Sequence, residues 1–176
     1  MYLPDDAYRP STPDITNDVG NRSASNYVAV AAQFQVEQTP RYQPRDGHTF
    51  CNIYVWDVTC AMGAEIPHWI KLDGTQSKMG DGVELSANAV VDWLAAHGSA
   101  NGWTQCPEAD ARDYATAGLP TVAVWKNPLP GHSGHVVMIL PGSGPTMIAQ
   151  AGAHNHFNVP IAEGFGSISP IFYWHP

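Results

Sequence analysis

The chain has 176 residues, and its net charge of −8 comes from 16 acidic residues against eight lysines and arginines. Because the basic residues form no cluster, the sequence excludes the positive patch that a nucleic acid or an anionic membrane requires of its partner. A chain of this length can bury a sizeable core, and with only three cysteines we expect it to fold without a disulfide framework.

Residues 1–22 are predicted to form an arm, because they are polar, contain three prolines and show no hydrophobic periodicity. Residues 23–176 are expected to form a single domain that acts as a monomer. The opening stretch has neither the basic region nor the apolar region of a signal peptide, which predicts synthesis in the cytoplasm. No apolar run is long enough to span a bilayer, so no membrane anchor is expected.

Two helices are predicted in the first part of the domain. The first is expected to be capped by Ser25 or Asn26. The second begins at Cys51 and ends before Gly63, a residue type that favours helix ends. Apolar residues surround most of the circumference of this second helix, which predicts that it is buried on most sides.

Two more helices follow, one from Ser86 to Gly98 and one that ends at Gly118, and then the pattern changes. From residue 119 onward, short runs rich in β-branched and aromatic residues are bounded by glycine and proline, which is typical of strands. The four predicted strands lie in the stretches LPTVAVWK, GHVVMILP, TMIAQAGA and SISPIFYW. Helices first and strands afterwards indicate an α+β fold with an antiparallel sheet.

Cys51 and His135 occupy positions that suit nucleophilic catalysis. Cys51 opens a helix, where the positive end of the helix dipole favours a thiolate. His135 opens a predicted strand after a glycine-rich turn, and a nearby imidazole serves a thiol as general base and acid. A core cysteine and a core histidine would give the same local pattern, and from these two residues alone that is the more frequent explanation.

The order of these features resembles that of the papain-like peptidoglycan hydrolases of the NlpC-type and CHAP (cysteine, histidine-dependent amidohydrolase/peptidase) families. TFCNIYVWDV resembles their cysteine-containing helix start, and GLPTVAVWKNPLPGHSGHVVMIL resembles their strand, glycine turn and Gly-His-Val. The resemblance covers roughly residues 25–176. The chain has Phe50-Cys51-Asn52-Ile53 where many NlpC-type members have Asp-Cys-Ser-Gly.

The resemblance implies a papain-like fold and hydrolysis of an amide bond in bacterial peptidoglycan, with Cys51 as nucleophile, His135 as base and no cofactor. The bond is either the N-acetylmuramoyl–L-alanine amide or one within the stem or cross-bridge peptide. A lytic domain without an export signal fits a phage endolysin and fits equally an antibacterial effector delivered into a rival cell. In either setting the expected place of action is the cell wall or the periplasm.

A third polar residue should orient the imidazole of the catalytic histidine. The polar candidates in or after the next predicted strand are Gln150, His154 and Asn155. If a four-residue loop joins the two strands, Leu140 pairs with Pro145 and Gln150 lies directly opposite His135, within reach of a hydrogen bond. A register shifted by one residue would turn Gln150 to the other face and leave the role to Asn155.

An oxyanion hole would use the backbone N–H of Cys51 and one donor upstream of it. The resemblance implies a tyrosine or glutamine in the upstream position, and Tyr42 and Gln43 are the candidates. Asn52, directly after the cysteine, is a further candidate for contact with the oxyanion or the substrate.

Two other classes of function stay open. The spacings H-x-x-H at 132 and 135 and H-x-H at 154 and 156 suit a zinc-dependent amidase, although the H-E-x-x-H pattern of helical zinc sites is absent. Six tryptophans and seven tyrosines suit the glycan groove of a non-catalytic wall-binding module. Because a cysteine enzyme is expected to hold no metal and to lose activity on thiol alkylation, these two measurements distinguish the classes.

Overall fold

The computed structural model describes residues 9–176, so the first eight residues of the predicted arm lie outside the described residues. The helices in this range are α1 (Ala24–Gln33), α2 (Cys51–Ala61), α3 (Ala87–Trp93), α4 (Glu108–Thr116) and α5 (Ala162–Phe165). The strands are β1 (Trp69–Ile70), β2 (Val83–Glu84), β3 (Thr104–Cys106), β4 (Thr121–Trp125), β5 (His135–Leu140), β6 (Met147–Gln150), β7 (His156–Pro160) and β8 (Ile171–Trp174). None of the helices in the described range is both long and apolar enough to cross a membrane.

Six strands form one antiparallel sheet in the order β3–β8–β4–β5–β6–β7, and β1 and β2 form a separate two-stranded ribbon. The predicted α+β class with an antiparallel sheet is confirmed, and the four predicted strands correspond to β4, β5, β6 and β8. Helix α2 packs against β5 and β6 in the middle of the sheet. The elements that carry the two proposed reactive residues are therefore neighbours.

Helix α2 is buried on most sides, as its apolar composition predicts. Nine of its 11 residues are buried, so packing on all sides fixes the position of its N-terminus relative to the sheet. The helix ends where it was predicted to end. Gly63 has a φ of 64°, a left-handed conformation that glycine adopts without strain.

The sequence predicted the start of one helix correctly and the cap of another incorrectly. The prediction of Ser25 or Asn26 as the cap of α1 is wrong, because Ser23 occupies the capping position and its Oγ accepts a hydrogen bond from the Asn26 N–H at 3.1 Å. The predicted start of the next long helix at Ser86 is correct, and the Ser86 side chain caps α3 by accepting from the Ala89 N–H. The α-helical part of that segment ends at Trp93, and a π-helical turn covers the remaining residues of the predicted helix.

The described part of the predicted arm packs against the domain through Asn17, which is fully buried. The Asn17 backbone N–H donates to the Ala61 carbonyl at 3.1 Å, and its Nδ2 donates to the Gly118 carbonyl at 2.7 Å. Its Oδ1 accepts from the Ser23 N–H at 3.1 Å, which places Ser23 at the start of α1. A polar sequence without periodicity gives no sign of this packing, because side-chain hydrogen bonds to backbone groups produce it.

The hairpin of β5 and β6 differs from the predicted register by two residues. Leu140 pairs with Met147 rather than with Pro145. The prediction that Gln150 lies directly opposite His135 is therefore wrong. Because side chains alternate between faces with a period of two, a shift of two residues leaves Gln150 on the predicted face, diagonal to the histidine.

Contacts with α4 explain why this hairpin loop is longer than predicted. The Gly144 carbonyl accepts a hydrogen bond from Arg112 Nη1 at 3.1 Å, and Thr146 Oγ1 donates to Glu108 Oε1 at 2.6 Å. The end of the loop thus binds the side chains of a helix and does not extend the strand pairing.

Candidate active site

Cys51 is the first residue of α2, and the start of this helix has no side-chain cap. Phe50 precedes the helix in the capping position without a cap hydrogen bond, and the first turn contains no acidic residue. The first N–H groups of a helix carry the positive end of its dipole and have no acceptor within the helix. The start of α2 is therefore able to stabilise negative charge on the Cys51 sulfur or on a substrate oxygen beside it.

Backbone N–H groups from two elements lie close enough to the Cys51 sulfur to favour its thiolate form. They belong to Cys51 and Asn52 in α2 and to Val136 in β5. Because Val136 directly follows His135, this contact brings the start of β5 to the thiol. Cys51 is only 2% exposed, whereas Asn52 and His135 are half-buried.

Gln150 hydrogen-bonds the imidazole of His135 in spite of the shifted register. The distance between His135 Nε2 and Gln150 Oε1 is 2.7 Å, and Gln150 Nε2 donates to the His154 carbonyl at 3.4 Å. Since the amide nitrogen has this acceptor, the amide oxygen faces the ring, which assigns a hydrogen to Nε2. In the neutral ring, Nδ1 is then free of hydrogen and able to accept a proton.

Burial favours the neutral form of both reactive groups. Desolvation raises the pKa of Cys51 from its ordinary value of 9.0, and the backbone N–H groups near the sulfur oppose that rise. Desolvation lowers the pKa of His135 from its ordinary value of 6.5, and the hydrogen bond with Gln150 opposes that fall. Near neutral pH the resting site therefore holds a thiol and a neutral imidazole rather than an ion pair.

Three residues that the sequence did not indicate enclose the pair of His135 and Gln150. The centre of the Phe165 ring lies 5.4 Å from the centre of the imidazole. A Cβ atom added at Gly152 would lie 3.3 Å from His135 Cε1, and one added at Gly164 would lie 2.6 Å from Gln150 Oε1. The only sequence signal is a glycine near a strand, which does not reveal the side chain that it faces.

Asn155, the alternative candidate for orienting the imidazole, binds backbone groups. Its Nδ2 donates to the carbonyls of Val36 and Tyr42, both at 2.9 Å, and its Oδ1 accepts from the Gly152 N–H at 2.9 Å. Asn155 therefore connects the loop after β6 to the segment between α1 and α2. It supports the loop that carries Gly152, which lies against the imidazole.

The other side chains considered for the oxyanion hole have different partners. The Tyr42 hydroxyl donates to Asp57 Oδ2 at 2.7 Å, further along α2 than the thiol. Gln43 Nε2 donates to a carbonyl of the preceding loop at 2.9 Å, and Asn52 Nδ2 donates to the Leu85 carbonyl at 2.8 Å. The donors next to the Cys51 sulfur are backbone N–H groups.

All three cysteines, Cys51, Cys60 and Cys106, are free thiols. Burial raises the pKa of Cys60, and the nearby Glu65 carboxylate raises it further. Burial raises the pKa of Cys106 to about 11. Both are therefore thiols at neutral pH.

The histidines considered for zinc do not gather into a group of three. The rings of His154 and His156 lie 6.2 Å apart, and His135 is bound by Gln150. Within residues 9–176, no group of three or more His, Cys, Asp and Glu side chains is arranged to hold a metal ion.

No protein-family model and no curated protein sequence matches this chain. The fold and the site together define the class: an α+β protein with a cysteine at the N-terminus of a buried helix and a histidine–amide pair at the start of the adjacent strand.

Proposed function

We propose that the protein hydrolyses an amide bond of bacterial peptidoglycan, with a papain-like arrangement of Cys51 as nucleophile and His135 as base. The observation that best supports this is the packing of α2 against β5, which places the Val136 N–H beside the Cys51 sulfur at the start of both elements. The imidazole at that strand start is oriented through Nε2 by Gln150. The choice of peptidoglycan rests on the resemblance of the two sequence stretches around these residues.

In the proposed mechanism, His135 Nδ1 takes the thiol proton of Cys51 while the sulfur attacks the amide carbonyl carbon. The carbonyl π electrons move to the oxygen, and N–H groups at the start of α2 stabilise the resulting oxyanion. The imidazolium then protonates the leaving nitrogen, the C–N bond breaks, and a thioester remains. Water, deprotonated by His135, hydrolyses the thioester and regenerates the thiol without any cofactor.

Digestion of purified sacculi, followed by mass spectrometry of the released muropeptides, tests the proposal. We expect new amine and carboxylate ends, which identify the bond that is cut. Iodoacetamide should abolish the reaction and EDTA should leave it unchanged. Inhibition by EDTA without inhibition by iodoacetamide would favour the zinc amidase, and binding to sacculi without new ends would favour the wall-binding module.

The rate of hydrolysis is expected to stay high over an unusually wide pH range. The active form of the pair is the Cys51 thiol with the neutral His135 imidazole. Activity is therefore lost on the acid side when His135 is protonated and on the alkaline side when the thiol proton is lost. Because burial lowers the pKa of His135 and raises that of Cys51, the acid limb should lie below pH 6.5 and the alkaline limb above pH 9.0. A profile of kcat/KM against pH measures both limbs. A plateau narrower than this interval would contradict a resting site made of a thiol and a neutral imidazole.

Gln150→Ala is expected to lower kcat roughly 10²-fold without eliminating it, because the amide orients the imidazole and takes no part in bond making. Gln150→Asn and Gln150→Glu should be milder, since each retains an oxygen acceptor. The hydrogen bond from the histidine raises the pKa of His135, so Gln150→Ala should also move the acid limb of the pH profile to lower pH.

Asn155→Ala is the matched control for this series. It removes hydrogen bonds to three backbone groups, which should cost about 1–3 kcal/mol of unfolding free energy. Activity and melting temperature should be measured together for the two alanine variants. A fully active Gln150→Ala protein together with an inactive but folded Asn155→Ala protein would transfer the orienting role to Asn155.

A further inference from the structure

We propose that Gly164 is a positioning residue for the reaction: the absence of a side chain at this position leaves the Gln150 carboxamide the space in which it holds the His135 imidazole. The inference rests on the proposed function, because it assigns the histidine–amide pair a role in catalysis. It adds a residue that touches neither the thiol nor the reacting bond.

Gly164 lies in α5, the short helix between the edge strand β7 and the strand β8. A Cβ atom built on its backbone would lie 2.6 Å from Gln150 Oε1, 2.9 Å from Ile148 Cδ1 and 3.6 Å from His135 Cδ2. Real Cβ atoms essentially never approach another heavy atom within 3.0 Å. A methyl group at this position therefore requires a neighbour to move.

The neighbour with the least freedom is the Gln150 carboxamide. Gln150 is 3% exposed, its Oε1 is bound to His135 Nε2 at 2.7 Å, and its Nε2 faces the His154 carbonyl. A rotation that moves Oε1 away from a methyl group also lengthens the bond to the ring. The imidazole would then lose the acceptor that keeps hydrogen on Nε2 and leaves Nδ1 available for the thiol proton.

The backbone does not explain a glycine at this position. Gly164 does not have a φ in the left-handed region, in contrast to Gly166, whose φ is 57°. Alanine is ordinarily a better helix former than glycine, so a helical glycine with an ordinary backbone is unfavourable unless space demands it. Here Gln150 Oε1 occupies the space that a methyl group at Gly164 would need.

The test compares Gly164→Ala in two backgrounds, the wild-type chain and Gln150→Ala. In the wild-type background we expect kcat to fall about 10- to 100-fold with little change in KM, because the imidazole is misplaced and the substrate contacts remain. In the Gln150→Ala background the same substitution should cause no further loss. Gly144→Ala is the control, because a Cβ atom at Gly144 would have no neighbour within 4 Å, and it should leave kcat unchanged.

An equal loss of kcat in both backgrounds would overturn the proposal. Ile148→Val provides a second check, because it removes the Cδ1 atom that a methyl group at Gly164 would also meet. If Ile148→Val restores the activity of Gly164→Ala, the effect arises from the core and not from Gln150, and the proposal is wrong.

NMR of imidazole-¹⁵N-labelled protein separates this proposal from the proposed function, since it needs no substrate. We expect Gly164→Ala to weaken the Nε2–H tautomer of His135 and to shift its titration to lower pH, in the same direction as Gln150→Ala. Adding Gly164→Ala to the Gln150→Ala protein should shift it no further. These shifts in a protein that cleaves no peptidoglycan would refute the proposed function and leave the positioning role supported. An unchanged tautomer and titration in Gly164→Ala would overturn the positioning role.

Discussion

Cys51→Ala is expected to reduce the proposed peptidoglycan hydrolysis to the background rate, a loss of roughly 10⁶-fold in kcat by comparison with other enzymes that lose a nucleophile. In the proposed mechanism, Cys51 alone forms the bond to the carbonyl carbon of the substrate. The substitution removes a single sulfur atom from a buried site, so the fold should persist at a cost of about 1 kcal/mol in unfolding free energy. Release of soluble muropeptides from sacculi and the melting temperature measure the two effects separately.

The other two cysteines are the matched controls for this prediction. Cys60→Ala and Cys106→Ala remove half-buried free thiols away from the start of α2, and both variants should retain activity. His135→Ala should be as severe as Cys51→Ala, and the double variant should be no worse than either, because residues of one catalytic unit are not additive. Full activity in a folded Cys51→Ala protein would end the cysteine hypothesis.

Local signals in the sequence were sufficient to predict the elements that carry the two proposed reactive residues. The apolar stretch that begins at Cys51 is uninterrupted by glycine or proline until Gly63, and this predicts both the bounds and the burial of α2. The strand that begins at His135 follows a glycine and is uniformly apolar, as befits a central strand. Each of these features depends on residues adjacent in sequence, so the chain itself reveals them.

The register of the hairpin could not be predicted in the same way, because the loop between the strands binds α4. Thr146 donates to Glu108, 38 residues earlier in the chain, and a loop-length rule does not anticipate such a contact. The pairing of Leu140 was wrong for that reason. Gln150 still meets His135 because an error of two residues preserves the face, whereas an error of one would have reversed it.

The surroundings of the site depend even more on long-range contacts. The closeness of Gly164 to the Gln150 oxygen, and of the Phe165 ring to the imidazole, follows from the return of the chain between β7 and β8. A lone glycine in a short helix gives no local sign of its neighbour. The short edge strands β3 and β7 were missed because their partially exposed residues do not form an apolar run.

Asp57 is conspicuous in the sequence, but only the structure shows what its charge binds. It is the only charged residue between Cys51 and Glu65, and the structure buries its side chain completely. Arg41 binds it through Nε to Oδ2 at 2.7 Å and through Nη2 to Oδ1 at 3.0 Å. The Tyr42 hydroxyl donates to Oδ2 at 2.7 Å, so both carboxylate oxygens have short hydrogen bonds.

The Asp57 and Arg41 side chains also attach the N-terminal segment to α2. The Ser11 N–H donates to Asp57 Oδ1 at 3.3 Å, and Arg41 Nη2 donates to the Arg9 carbonyl at 2.7 Å. Removing the carboxylate would therefore remove the acceptor through which Arg41, Tyr42 and Ser11 are joined to the helix. Loss of one partner of a buried ion pair is costly because the buried groups that bound it lose short, charge-assisted hydrogen bonds.

Asp57→Ala is accordingly expected to lower the unfolding free energy by about 3–5 kcal/mol, the second large effect predicted for this protein. Asp92→Ala is the matched control, because it removes the carboxylate of an exposed pair whose Oδ1 lies 2.6 Å from Lys126 Nζ. An exposed pair is worth only about 0–1 kcal/mol, so that variant should unfold almost as the wild type does. Urea denaturation of the two variants measures the difference directly. Since the network lies further along α2 than the thiol, the folded fraction of Asp57→Ala should retain Cys51-dependent hydrolysis. If Asp57→Ala proves no less stable than Asp92→Ala, the buried network contributes nothing beyond what a surface pair does, and the apolar packing of α2 alone holds the helix against the sheet.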